Sequence, residues 1–548
     1  MSALDRARAL TQPAFITLLS EEAITSHQGN AGTLSGLTFA IKDNIDLAGV
    51  PTTAGDPRTT VPATSSAFAV QRLLAAGAVP VGKTNLDQYA TGLVGTRSPF
   101  GACHSVFSDA HVSGGSSSGS AVAVAAGVVD FALGTDTAGS GRVPAAFNGL
   151  VGLKPTRGLV STTGVVPACR SLDCTTILAS TVALAKRVFE AIAVFDPDDP
   201  YARRIEQVSP PSGVPQIGVP DQILELDPVH QRAWEASLER AGRLGTLVPV
   251  DIRPLLEAAE LLYSGPWLAE RWLAFGDRLD DDPAVDPTVR AIVTNGRDLS
   301  AGDAFAGFHR LAELAREAEP LWPAIDALLL PVTATHPTLA EVGDDPIGVN
   351  TRLGQFTNMT NLLDLCAIAV PGPARDDGLP FGVQLLAPAG HDRALLALAS
   401  KWCGEPGDGS EAGAGLVAVA VAGAHLRGQP LNADLVRRGG RFAFAARTAA
   451  DYRMYLVDGP LPRPGLTRTD GKPAGDGIKL EVWHLPAAEL AGFLGTVAPP
   501  LAIGPVELAD GSSVLGFVCT ADGVDPERDI TTYGGWRAWL AAGGPAGG

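Results

Sequence analysis

Three segments of this chain carry residue types that do chemistry only together. The first is Phe39-Ala-Ile-Lys42-Asp-Asn-Ile-Asp46, in which Lys42 ends an apolar run and is therefore expected to be partly buried. The second is Ser113-Gly-Gly-Ser116-Ser-Ser-Gly-Ser120, which leads into the Ala/Val stretch Ala121 to Ala126. Serines there sit at a helix N-terminus, where exposed N–H groups and the helix dipole stabilise developing negative charge. The third is Gly134-Thr-Asp-Thr-Ala-Gly-Ser140-Gly-Arg142. Small residues just before Ser140 let consecutive backbone N–H groups converge on one point, as an oxyanion hole requires. A serine hydroxyl becomes a nucleophile when an adjacent base takes its proton, and a lysine does this only when neutral. Burial disfavours the ammonium, so an apolar setting around Lys42 is the natural way to make such a base.

Two further patterns invite other chemistry and fail on context. Gly77-Ala-Val-Pro-Val-Gly-Lys83-Thr84 satisfies the phosphate-loop spelling, yet a helical pattern precedes it and Pro80 has no N–H to offer phosphate. Gly115-Ser-Ser117-Ser-Gly119 satisfies the nucleophile-elbow spelling centred on Ser117. That elbow needs a hydrophobic strand before it, and Ser108 to Gly114 is polar.

These residues need elements to hold them. Ser66 to Ala76 reads as a helix stopped by Gly77, Ala78 to Val81 as a buried strand and Thr84 to Ala90 as a helix. Later, Val229 to Ala241 reads as an amphipathic helix, and Leu247 to Val250 and Ala327 to Leu330 as strands. This alternation implies an α/β domain with helices flanking a mixed sheet. A helix over Asp392 to Trp402 ends in a polar, Gly-rich run, Gly404 to Gly415, read as a linker between residues 1–403 and 416–548. Beyond it, strands at Leu416 to Val421, Tyr452 to Val457, Lys479 to Trp483 and Val514 to Val518, with a helix at Ala487 to Leu494, describe a small α+β domain.

Composition removes several classes of function. The 548 residues carry 41 Lys+Arg against 59 Asp+Glu, and a net charge of −18 suits non-specific binding of nucleic acid poorly. The longest apolar stretch is broken by Gly127 and Asp130, short of the roughly 20 residues a membrane helix needs. The opening MSALDRARALTQP has no continuous apolar core of a signal peptide, so a cytoplasmic protein is expected. Six cysteines lack CxxC spacing and nine histidines lack HxH or HExxH spacing, so neither a disulfide framework nor a metal site of sequence neighbours is expected.

Over roughly Gly36 to Leu395 the sequence resembles the amidase signature family, through GGSSSGSAVAVAAG and LGTDTAGSGRVPAAFNGLVGLKPT. The resemblance implies Ser140 as nucleophile, Ser116 as a bridging serine on a cis peptide with Gly115, and Lys42 as base, a catalytic triad that uses no cofactor and no metal. It implies oxyanion-hole N–H groups from Thr137, Ala138, Gly139 and Ser140, with Asp136 and Arg142 as a charged pair holding the loop. GKTNLDQYA matches a family segment, which gives Lys83 a structural role.

Within that family, LLYSGPWLAER and RLGQFTN through NLLDLCAIAVPGPARDDGLPFGVQLLAPA resemble the allophanate hydrolases. This implies that Tyr263 and Arg271 meet a substrate carboxylate and that ATGLVGTRSPFG, Ala90 to Gly101, lines the pocket. VAVAVAGAHLRGQPLN, GIKLEVWHLP and LAIGPVELADGSSVLGFVC resemble the second domain of those enzymes, with its γ-glutamylcyclotransferase-like fold. The implied reaction is hydrolysis of allophanate to ammonia and N-carboxycarbamate, then decarboxylation in the second domain, where His425 is the candidate residue. The alternatives are an amidase for another ureido or carboxyguanidine compound and one component of a tRNA-dependent amidotransferase. The resemblance further implies a homodimer and a small-molecule substrate supplied by a separate urea carboxylase or a biuret pathway. The three methionines, Met1, Met359 and Met454, leave no Met-Lys-Met biotinylation site in this chain.

Overall fold

The computed structural model describes residues 2–28, 31–211, 213–280, 282–405, 416–457, 462–469, 471–509, 511–520 and 524–544. It divides into two compact units, Ser2–Gly407 and Asp408–Gly548. Most of the expected linker, residues 406–415, lies outside the described residues.

An 11-stranded mixed sheet runs through the first unit. Its strands in chain order are β1 (Phe15–Leu18), β2 (Thr38–Lys42), β3 (Val79–Thr84), β4 (Phe131–Asp136), β5 (Val151–Lys154), β6 (Cys174–Ala179), β7 (Gln216–Pro220), β8 (Thr246–Val250), β9 (Ala327–Pro331), β10 (Leu365–Pro371) and β11 (Gly382–Pro388). Their order in the sheet is β1-β3-β2-β4-β6-β5-β10-β11-β9-β7-β8. The central strands β3, β4, β6 and β9 are buried at every position, and their runs of Val, Leu, Ile and Ala are what a sheet covered on both faces requires. Phe39 of β2 stacks on Phe131 of β4 with ring centroids 5.4 Å apart. Because β3, β2 and β4 are mutually parallel, their C-terminal ends fall at one edge, where Thr84, Lys42 and Asp136 sit.

Helix α1 (Ser118–Ala125) is buried at all eight positions, as its sequence SGSAVAVA demands: it has no polar face to turn to water. It starts earlier than the Ala/Val stretch alone suggested. The strand expected at Ala78 to Val81 extends to Thr84 as β3, and the helix expected at Thr84 to Ala90 reduces to the single 3₁₀ turn Gln88–Ala90. Local side chains explain the difference. Asn85 Nδ2 donates to the carbonyls of Pro13 and Gly101, and Asp87 accepts from the N–H groups of Gly95 and Arg97. Such bonds offer the chain an alternative to the helical ladder. Among the described residues no helix is long and apolar enough to cross a membrane.

The second unit has its own core around Trp483, Leu485, Val419 and Met454. Its strands are β12 (Leu416–Val421), β13 (Arg441–Arg447), β14 (Tyr452–Val457), β15 (Arg463–Arg468), β16 (Lys479–Pro486), β17 (Leu501–Glu507) and β18 (Ser513–Cys519). They form one sheet in the order β13-β16-β12-β18-β15-β14, with β17 on β18. The helix at Ala487–Leu494 follows β16.

Candidate active site

Lys42, at the end of β2, is fully buried, and its Nζ lies 2.7 Å from Ser116 Oγ and 2.7 Å from Thr135 Oγ1, donating to both. Burial pulls its pKa from the usual lysine value down to about 7; Asp87, Asp136 and Asp173 oppose this and Arg271 reinforces it. Near neutral pH a large fraction of Lys42 is thus the free amine. The Gly115–Ser116 peptide is cis. A side chain at Gly115 has no room: an added Cβ falls 2.1 Å from Asp87 Oδ2.

Ser140 lies on the loop after β4 and is 3% exposed. Its hydroxyl donates to the Gly92 carbonyl at 3.4 Å, and its own carbonyl accepts from Ser117 N–H at 3.2 Å. The loops bearing Ser116 and Ser140 are thereby adjacent, although no hydrogen bond joins the two hydroxyls. Ser117 immediately precedes α1, and its hydroxyl donates to the Thr135 carbonyl at 3.2 Å in place of capping the helix, a structural tie between α1 and β4.

The loop from Thr137 to Gly141 wraps around a buried carboxylate. Asp136 accepts from Gly139 N–H at 2.7 Å and Gly141 N–H at 3.2 Å, and pairs with the Arg142 guanidinium at 3.0 Å. Arg142 is itself held by Thr360 and Gln384 side chains and the Thr357 carbonyl. Gly139 has φ +124 and packs against Thr357, whose Oγ1 lies 2.4 Å from where a Cβ would be. Among the described residues, the N–H groups of Thr137, Ala138 and Ser140 meet no hydrogen-bond acceptor. The expectation for Gly139 as a fourth donor meets a different arrangement: Asp136 already holds its N–H.

Arg271, on the helix Trp267–Phe275, is 1% exposed. Its Nη1 donates to Thr91 Oγ1 at 3.0 Å, its Nε has no partner among the described residues, and its Cζ lies 5.8 Å from the Tyr263 ring centroid. Thr91 precedes Gly92, the residue that accepts from Ser140, so the segment Ala90 to Gly101 links the arginine to the serine. Within RLGQFTN, Arg352 is exposed, whereas Thr357 bonds the Ala138 carbonyl at 2.6 Å. Lys83 sits in β3, paired with Asp43 at 2.7 Å, both fully buried. That is the place of a structural ion pair, with no loop for phosphate.

Residue-type patterns missed three contributors. Thr135 shares Lys42 Nζ with Ser116. Asp87 receives the N–H groups of Gly95 and Arg97 beneath the cis peptide, and its backbone N–H donates to the Ser116 carbonyl at 3.2 Å. Asp173 accepts from the Thr137 hydroxyl. Thr135 and Asp173 lie far in sequence from the partners they serve, and Asp87 bonds across a loop of no regular period, so only the fold reveals them.

In the second unit His425 follows β12. Its ring stacks on Phe517 at 5.2 Å and meets the edge of Phe493 at 5.5 Å. Burial pushes its pKa down to about 4, against a small opposing pull from Asp434, so the ring is neutral at pH 7. Among the described residues no group of three or more His, Cys, Asp or Glu comes together to hold a metal ion.

A buried amine on a serine of a cis peptide, beside a second serine on a loop of open N–H groups, is an arrangement suited to acyl transfer. Residues 2–396 match the amidase family model, and residues 417–541 match the allophanate hydrolase C-terminal domain. The chain belongs to the amidase family. It is 40% identical to urea amidolyase of Saccharomyces cerevisiae over 96% of its own length, and spans 31% of that relative. It is 35% identical to one of the subunits of the glutamyl-tRNA(Gln) amidotransferase of Symbiobacterium thermophilum, covering 67% of this chain and 82% of the relative. The solved structure of Kluyveromyces lactis allophanate hydrolase superposes with a TM-score of 0.71 at 36% identity, over 99% of this chain and 97% of that one.

Proposed function

We propose that this protein is an allophanate hydrolase that works by acyl transfer to Ser140. The observation that carries the chemistry is the 2.7 Å contact between buried Lys42 and Ser116. In the proposed cycle the neutral Lys42 amine takes the Ser116 proton while Ser116 takes that of Ser140, whose hydroxyl turns from the Gly92 carbonyl to do so. Ser140 Oγ attacks the terminal amide carbon of allophanate, and the N–H groups of Thr137, Ala138 and Ser140 receive the oxyanion. The C–N bond breaks, the leaving nitrogen takes the proton back through Ser116, and ammonia departs. Water, deprotonated over the same relay, then frees N-carboxycarbamate from Ser140. Asp136 and Arg142 keep the loop in shape.

Tyr263 and Arg271 hold the substrate carboxylate. A guanidinium that already spends Nη1 on Thr91 still offers Nε and Nη2 as a two-point donor. The second unit, with a γ-glutamylcyclotransferase-like fold, decarboxylates N-carboxycarbamate to carbamate, which decays to ammonia and carbon dioxide. His425, uncharged at neutral pH, acts there as a hydrogen-bonding group. On this reading the enzyme is a cytoplasmic homodimer with no cofactor, working downstream of a separate urea carboxylase or a biuret pathway. The likeness to K. lactis allophanate hydrolase along both units favours it over the amidotransferase reading, since the Symbiobacterium relative matches about two thirds of the chain.

Ammonia release from allophanate, biuret, urea and malonamate side by side tests the substrate. Allophanate should lead by more than tenfold, and Arg271→Leu should lose far more on allophanate than on a neutral amide of similar size. Equal losses on charged and neutral amides place Arg271 in a structural role.

A further inference from the structure

We propose that Asp173 is a positioning residue for the amide-cleaving step: its carboxylate holds the Thr137 hydroxyl and, through it, aims the open N–H groups of the Thr137–Ser140 loop. The inference rests on the acyl-transfer reading above and adds to it a residue that touches neither substrate nor nucleophile.

The geometry is specific. One carboxylate oxygen of Asp173 accepts from Thr137 Oγ1, and the other accepts from Ala168 N–H at 2.8 Å. Cys169 N–H donates to both, at 3.2 Å each. The carboxylate is therefore held by two backbone N–H groups as well as by the Thr137 hydroxyl. Asp173 closes the turn that starts at Cys169 and directly precedes β6, the antiparallel neighbour of β4, with Cys174 facing Asp136 in register. The loop is thus pinned at two points: Asp136 inside it holds Gly139, and Asp173 outside it holds Thr137. Between these pins the N–H groups of Thr137 and Ala138 are left without acceptors among the described residues. Donors that act on a developing oxyanion are effective because they need no reorganisation, so a fixed Thr137 matters most as charge develops.

Asp173 has a second, electrical effect. It is one of three carboxylates, with Asp87 and Asp136, that raise the Lys42 pKa against burial, while Arg271 lowers it. Burial lifts the Asp173 carboxyl itself to about 6, opposed by its hydrogen bonds and by Arg271. Asp173 also lines a cavity of about 320 Å³ with Thr163, Val165, Arg170 and Asp199. At pH 7 and above it carries its charge.

Two substitutions separate the two effects. Thr137→Val removes the hydrogen bond and keeps the carboxyl group, whose pKa rises with the loss of that donor. It should lower kcat at least tenfold, with KM changed less than threefold, and move the acid-side pKa of kcat/KM less than removal of the carboxylate does. Asp173→Leu removes both, because its side chain neither bonds the Thr137 hydroxyl nor carries charge, whereas an asparagine amide would donate to that hydroxyl and keep the contact. It should lower kcat to a similar degree and shift the acid limb to lower pH, since losing a nearby negative charge makes Lys42 easier to deprotonate. In the double variant the kcat losses should fail to add, as both remove one bond. Thermal melting of the full-length variants identifies any that are misfolded, and Thr137→Ser, which keeps the hydroxyl, should restore kcat in place of Thr137→Val. If wild type turns over allophanate but Thr137→Val and Asp173→Leu retain kcat within twofold, or their losses multiply, the positioning role is wrong. If wild type turns over none of the four amides, the parent reading fails instead.

Discussion

At the scale of single residues, the molecule's most unusual investment is a fully buried lysine. Two hydroxyls meet its Nζ and, among the described residues, no carboxylate pairs with it, so burial dominates and its pKa falls to about 7. The sign of the pH effect follows. The working form is the free amine, so kcat/KM should rise with pH through an apparent pKa near 7, well below that of a free lysine. Lys42→Arg should be inactive, falling by at least 10³-fold, because guanidinium stays protonated throughout the usable range. Steady-state kinetics from pH 5.5 to 9 check both; an active Lys42→Arg would remove the base role. The residue types Ser, Lys and small residues around Ser140 were legible in the sequence. Gly139's commitment to Asp136 was not, because a carboxylate that folds back on its own loop leaves no pattern in spacing.

At the scale of elements, the site is made by the common edge of β2 and β4 and by the start of α1. Helix α1 and strands β9, β12 and β14 were readable from apolar runs, and so was the helix at Ala487–Leu494. What spacing could not yield was the segment after β3, where Asn85 and Asp87 spend their side chains on backbone groups and stop a helix forming. The motif spelling at Gly77 to Thr84 misled for a related reason: it recorded residue types, while β-branched Val79 and Val81 in a six-residue buried strand decided the conformation. The loop after β4 yields a prediction of its own. Arg142→Met leaves Asp136 as a buried charge without its ion-pair partner, at a cost of about 3–5 kcal/mol. Chemical denaturation should show that loss, with ammonia release falling by more than 10²-fold even where the protein stays folded. A variant of unchanged stability and activity would mean that the loop does not depend on the pair.

At the scale of the whole molecule, two units with separate cores are proposed to share a reaction sequence. Lys42, Ser116, Ser140, Tyr263 and Arg271 all lie in the first unit, and His425 in the second. A chain ending near Gly407 should therefore keep ammonia release from allophanate and lose the acceleration of the next step, so N-carboxycarbamate should accumulate before decaying. Adding residues from about Gly415 onward in trans should restore prompt carbon dioxide release, and the same piece bearing His425→Ala should not. An unchanged intermediate lifetime in the shortened chain would make the second unit an assembly module. The two kinds of fold, a large α/β part and a small part with its own sheet, were legible from the change in strand and helix pattern along the chain, whereas the pairing of β12 with both β16 and β18 was not, since non-local partners leave no mark on local periodicity. The central claim, that Ser140 opens allophanate, is tested most directly by carbon-13 NMR of labelled allophanate with the full chain and with Ser140→Ala. Allophanate should disappear into bicarbonate with the full chain and persist at its uncatalysed rate with Ser140→Ala; consumption by Ser140→Ala at the wild-type rate would contradict the account.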